Sequence, residues 1–120
     1  MLELKDLVGR IITHIDPCEK DSDTMRFLTD GYEWIFYHDQ DCCEWVRVED
    51  VIGDLSDLIG NPILLAEAVS REDPSLLDSL TWTFYKFATI KGSVTVRWIG
   101  ESNGYYSEEV DLLVKETTES

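Results

Sequence analysis

Residues 37–44 read Tyr-His-Asp-Gln-Asp-Cys-Cys-Glu, which gathers an imidazole (His38), three carboxylates (Asp39, Asp41, Glu44) and two thiols (Cys42, Cys43) into one short stretch. Such groups serve three chemistries. A tetrahedral zinc site needs four ligands, and the nitrogen and sulfur donors of the chain are His14, Cys18, His38, Cys42 and Cys43. The cysteines lack Cys-x-x-Cys spacing, and adjacent thiols point to opposite sides of an extended chain. A calcium loop would draw on Asp39, Asp41 and Glu44, or on Asp21 and Asp23, but no glycine stands where an EF-hand loop turns sharply. A cysteine nucleophile with His38 or His14 as base needs a thiolate, and the surrounding acids oppose that charge. The simpler expectation is a histidine held by a carboxylate, with thiols packed on the core. A metal-binding module or small metal-dependent enzyme centred on His38, Asp39, Asp41, Cys42 and Cys43 stands as the alternative. No catalytic residue, cofactor or metal is assigned.

The elements around this stretch are readable from period and turn chemistry. Residues 10–16 alternate as a strand that stops at Pro17. Asp30-Gly31 is a two-residue hairpin signal, and pairing outward from it sets Thr29 opposite Tyr32, Phe27 opposite Trp34 and Met25 opposite Phe36, all on one apolar face. Continued by one step, the register places Asp23 opposite His38. Beyond the octapeptide, Val48, Val51, Ile52, Leu55, Leu58 and Ile59 follow the spacing of an amphipathic helix over about residues 48–59. Asp50, Asp54 and Asp57 form a stripe on its opposite side, Gly60 and Pro62 end it, and Gly53 is the weak point of its interior. Residues 63–69 favour a strand over a short helix, and residues 70–79 read as a polar connection.

The C-terminal third reads as a three-stranded meander: Thr81–Ile90, Ser93–Ile99 and Tyr105–Val114. A turn at Lys91-Gly92 would pair Thr89 with Val94, Phe87 with Val96 and Tyr85 with Trp98. A three-residue Ser102-Asn103-Gly104 loop would then pair Val96 with Val110 and Val94 with Leu112. One face of this sheet is apolar. The reverse face carries Trp82, Phe84, Ala88, Ile90 and Ile99 together with Lys86 and Arg97, so it is either covered a second time or meets a partner. The expected fold is α+β: a mostly antiparallel sheet, an N-terminal hairpin and a C-terminal meander, with one main amphipathic helix in a single domain over residues 1–120.

Charge is the least ordinary property. Lys plus Arg number 10 against 25 Asp plus Glu, a net −15. A field of that sign repels nucleic acid, whose binding requires cations to replace counterions around phosphates, and it draws basic partners. The acids are unevenly spread: residues 30–57 hold nine of them against Arg47 alone, whereas residues 81–100 hold three bases and no acid. Asp39, Asp41, Glu44, Glu49, Asp50, Asp54 and Asp57 are therefore the candidate partner-binding residues, facing a basic protein surface of the kind that binds nucleic acid. The acid-interrupted N-terminus lacks an apolar run suited to a signal peptide or membrane span, and the odd cysteine count argues against a disulfide framework; both point to a cytoplasmic protein.

Three segments, LVGRIITHI, YHDQDCCEWVRVEDVIGDLSDLIGNPIL and TWTFYKFATIKGSVTVRWIGESNGYYSEEVDL, together resemble a family of small uncharacterised domains of phages and bacteria. The resemblance covers nearly the whole chain and supplies no catalytic residues. It implies a phage-associated accessory protein, a setting in which small acidic proteins block host defence or host nucleic-acid enzymes, CRISPR effectors included. A structural or assembly subunit that uses the Trp82/Phe84/Ile99 face is a further alternative.

Overall fold

The computed structural model describes residues 2–16, 18–38, 44–74, 79–102 and 109–117. Eight strands account for most of them: β1 (Ile12–Ile15), β2 (Thr24–Thr29), β3 (Tyr32–Tyr37), β4 (Trp45–Ile52), β5 (Leu65–Pro74), β6 (Ser79–Thr89), β7 (Gly92–Ser102) and β8 (Asp111–Glu116). They form two four-stranded sheets, ordered β1-β2-β3-β8 and β4-β7-β6-β5, with every strand pair antiparallel. The only helical turns among the described residues are short 3-10 segments at Leu4–Leu7 and Leu55–Leu58. The fold is thus all-β, and the expected α+β class with a main helix is overturned.

The hairpin around Asp30-Gly31 has the expected register, with Phe27 opposite Trp34 and Met25 opposite Phe36. These aromatics face the second sheet. Phe27 meets Phe87 edge-on at 5.0 Å between centroids, and Phe36 meets Tyr85 at the same 5.0 Å. Such tilted contacts suit the ring quadrupole and add to the burial of large apolar area. Between the sheets lie Met25, Phe27, Trp34 and Phe36 on one side and Val46, Val48, Phe87, Val94, Val96 and Trp98 on the other, all at 0–1 % exposure. Trp34 carries a polar atom into this interior, and its Nε1–H donates to Thr29 Oγ1 at 2.9 Å.

The expected helix over 48–59 divides into a strand and a 3-10 turn. In β4, Val48 pairs with Trp98 and Asp50 with Arg97, so Glu49 is a bulge. The bulge resets the alternation, and Val51, opposite Val96, points inward three residues after Val48 instead of two. Leu55 and Leu58 then recur at the three-residue period of a 3-10 turn, and both pack on the core. A bulge followed by a 3-10 turn reproduces helical spacing without a helix.

Residues 63–69 do contribute a strand, but β5 runs on to Pro74, into the stretch 70–79 expected to be a polar connection. The β6–β7 hairpin also closes differently. Thr89 pairs with Gly92, Phe87 with Val94 and Tyr85 with Val96, so the turn is Ile90-Lys91. Gly92 opens β7 beside the Asp57 side chain, whose Oδ2 would stand 2.9 Å from an added Cβ. Because the register is displaced by two residues, the same side chains still face inward. The third meander strand is elsewhere. β8 pairs with β3, setting Phe36 against Leu112 and Trp34 against Val114, while the neighbours of β7 are β4 and β6. Val110 and Leu112 pack on the expected core from the opposite sheet. Asn103 and Gly104 of the expected loop lie outside the described residues.

Candidate functional site

The opening octapeptide is described only at its ends, since Asp39, Asp41, Cys42 and Cys43 fall outside the described residues. His38 follows β3 and Glu44 precedes β4, so the stretch links one sheet to the other. Both side chains are interior, at 4 % and 1 % exposure, with His38 Nε2 standing 3.8 Å from Glu44 Oε1. His38 Nδ1 lies 2.7 Å from the Glu109 carbonyl oxygen. A carbonyl only accepts, so Nδ1 carries the proton, and Nε2 is left facing the carboxylate. At 3.8 Å the two atoms are beyond hydrogen-bond length, though a protonated imidazole would be attracted across the gap. The carboxylate expected for His38 was Asp23, which is instead exposed. A tetrahedral metal needs four ligands. Among the described residues no group of three or more His, Cys, Asp or Glu is placed to hold one. Cys18 is a free thiol, and burial pushes its pKa up to about 12, unlike an activated nucleophile.

Among the described residues the candidate partner-binding acids are not brought together as one stripe. Glu44 is in the interior. Glu49 and Asp50 sit at the β4 bulge and share one guanidinium: Arg97 Nε is 2.6 Å from Glu49 Oε2, and Arg97 Nη2 is 3.7 Å from Asp50 Oδ2. Asp54 caps the 3-10 turn, its Oδ1 accepting from the Ser56 hydroxyl at 2.7 Å and the Ser56 N–H at 3.0 Å. Those bonds, the hydroxyl's first, hold its carboxyl below the ordinary range. Asp57 is spent on structure, with its carbonyl accepting from the Thr89 hydroxyl and its carboxylate against Gly92.

The outer face of the second sheet carries what charge counting missed. Trp45 and Arg47 are two apart on β4 and so share a face, with the guanidinium 3.5 Å from the Trp45 ring centroid. Arg97 lies 5.5 Å from the Trp82 ring centre. Arg71, Glu72, Trp82, Phe84 and Arg97 line a shallow cleft of about 380 Å³ on this face. On the reverse face of the expected meander the Arg97 guanidinium thus stands near the Trp82 indole, as Arg47 does over Trp45 on the adjoining β4. The Trp-x-Arg spacing is visible in the sequence, but it carries meaning only once residues 45–52 are known to be a strand.

The profile of a family described as "Domain of unknown function (DUF7448)" matches residues 5–112. The chain belongs to this family. No curated protein and no solved structure matches it. Membership agrees with the resemblance to small uncharacterised domains. No helix among the described residues of this DUF7448 chain is long and apolar enough to cross a membrane.

Proposed function

We propose that this domain is a non-enzymatic interaction protein whose surplus of carboxylates engages a Lys/Arg-rich surface on another protein, in the setting of a phage-associated factor that blocks a nucleic-acid-binding host protein such as a CRISPR or other defence effector. One observation carries the reading: three of the chain's five arginines already stand against its own acids. Arg26 pairs with Glu33, Arg47 lies between Asp21 and Glu101, and Arg97 holds Glu49 and Asp50. The formal net charge is −15 with every cation counted, so carboxylates remain in surplus after these pairs form. Electrostatic complementarity of this kind chiefly raises association rate and partner choice, and salt weakens it.

The structure changes which residues a test should use. Reversing Asp50, Asp54 or Asp57 disturbs an ion pair, a cap or a packed turn, so loss of binding would be ambiguous. Glu19, Asp23 and Asp30 are exposed and form no ion pair among the described residues. For a partner identified by cross-linking in the host, a Glu19→Lys/Asp23→Lys/Asp30→Lys variant is expected to associate at least tenfold more slowly at low salt, with unchanged circular dichroism. Short duplex DNA is expected to compete with the wild-type domain. Association that ignores both charge reversal and ionic strength would refute the electrostatic basis.

A further inference from the structure

We infer that β5 is a docking edge for a second copy of this chain, joining the β4-β7-β6-β5 sheets of two copies into one eight-stranded sheet through antiparallel β5–β5 pairing about Val69. The inference begins with the edges that the two sheets leave open. β1 has four residues, β4 is interrupted by its bulge at Glu49, and β8 has six residues. β5 is ten residues long and pairs with β6 from Leu65 to Pro74 without a register shift. The N-terminal segment occupies the approach to this edge, where Gly9 N–H donates to Ile63 O at 2.7 Å and Ile63 N–H donates to Arg10 O at 2.9 Å. From Ala66 to Glu72 no backbone partner other than β6 is present among the described residues, and every residue from Glu67 to Glu72 is exposed.

Hydrogen-bond direction selects the possible registers. The Ile90-Lys91 turn makes Thr89 and Gly92 the closing hydrogen-bonded pair, so Lys86, Phe84 and Trp82 turn their backbone groups towards β5. Glu67, Val69 and Arg71 meet them there. The N–H and C=O groups of Ala66, Ala68, Ser70 and Glu72 consequently point outward. Two copies related by a twofold axis can pair only if outward residues face outward residues, which requires a single residue to lie on the axis.

Charge then chooses among those registers. With Ala68 on the axis, Glu67 faces Val69; with Ser70 on it, Arg71 faces Val69. With Val69 on the axis, Arg71 faces the second copy's Glu67, and the reciprocal pair forms on the other side. Val69, 46 % exposed in the single chain, meets its own copy between these two ion pairs. Opposite charges directly across a strand pair are favourable, as are facing β-branched residues. Charged edges often prevent pairing, but they do so by presenting like charges or by turning charges inward. Here opposite signs stand symmetrically about an apolar centre on the outer face.

The test is sedimentation equilibrium of the full chain near physiological salt, where the mutual repulsion of two −15 chains is screened beyond about 8 Å. Wild-type protein is expected to shift with concentration from 13.8 kDa towards twice that mass. Glu67→Arg and Arg71→Glu each place like charges across the axis and are expected to remain monomeric, with at least tenfold weaker self-association. Mixed together, they are expected to form a heterodimer, because one variant then offers two arginines to the other's two glutamates. Ala68→Pro removes an outward N–H without touching β6, and is expected to abolish association while leaving the circular dichroism spectrum intact. A wild-type chain that stays monomeric, or two variants that do not recombine, overturns the inference.

Discussion

Replacing Gly53 by alanine tests how the β4 edge is joined to the turn that follows it. Gly53 has φ +114°, a backbone region that side chains rarely enter, and a Cβ built there lies 2.7 Å from the Ser93 carbonyl oxygen and 3.2 Å from Val94 Cα. Both obstacles are backbone atoms of β7, which is paired on its two sides and cannot yield without disturbing the sheet. Conformational strain contributes roughly 1–2 kcal/mol, and forcing an extra carbon into a packed site adds about 1–3 kcal/mol. Gly53→Ala should therefore lose roughly 2–5 kcal/mol, a fall of about 8–20 °C in Tm for a domain of this size. Gly60 is the internal control. It also has positive φ, at +89°, but nothing lies within 4 Å of its added Cβ, so Gly60→Ala carries only the strain of about 1–2 kcal/mol. Thermal and urea unfolding of both variants, followed by circular dichroism, separates the two contributions. If Gly53→Ala is no less stable than Gly60→Ala, the contact with Ser93 does not constrain the loop and the reasoning fails.

Two further outcomes follow from buried groups. Thr29→Val keeps the shape of its site but removes the oxygen that accepts from the buried Trp34 Nε1–H, and should lower stability by about 1–3 kcal/mol; an unchanged urea midpoint would show that the indole finds another acceptor. Alkaline pH should destabilise the domain through Tyr85 and Cys18. Burial, helped by the Asp111 carboxylate, raises the Tyr85 phenol above its ordinary value of 10.0, and burial raises the Cys18 thiol from 9.0 to about 12. The unfolded chain therefore releases these protons first, so the stabilisation is complete below pH 9 and is lost as pH rises through the unfolded and then the folded values. Tyr85→Phe should flatten the alkaline limb of a Tm-versus-pH curve, and a limb as steep as wild type would exclude Tyr85 from it.

Local signals transferred from sequence to structure, and distant pairings did not. The Asp30-Gly31 hairpin needs only a turn and alternating faces, and its register is the one observed. The inward face of β6 and β7 was also legible, because Tyr85, Phe87, Val94, Val96 and Trp98 alternate strictly and keep their side of the sheet whichever turn closes the hairpin. What the alternation cannot show is the partner of β8. Val110 and Leu112 have the same pattern whether they lie beside β7 or cross to β3, and packing across the whole domain decides between them. Gly92 misdirected the turn assignment, since a glycine that opens a strand looks the same in sequence as one required by a turn.

The helix-like spacing over residues 48–59 and the pairing of two of its acids have one physical origin in β4. A bulge sets two residues of one strand against a single residue of its partner. At Glu49-Asp50 those two residues are both carboxylates, and the residue opposite is Arg97. One guanidinium thus receives both acids, so the polarity between residues 30–57 and residues 81–100 is partly neutralised on the outer face of the sheet. The same irregularity moves Val51 inward at helical spacing and breaks up an edge that would otherwise offer a regular row of backbone groups. At the other end of this sheet, β5 has no bulge and carries its opposite charges at Glu67 and Arg71, two residues either side of Val69. On one edge two acids meet an arginine of a neighbouring strand of the same chain, and on the other Glu67, which faces Lys86 of β6, and Arg71 are spaced for an identical strand.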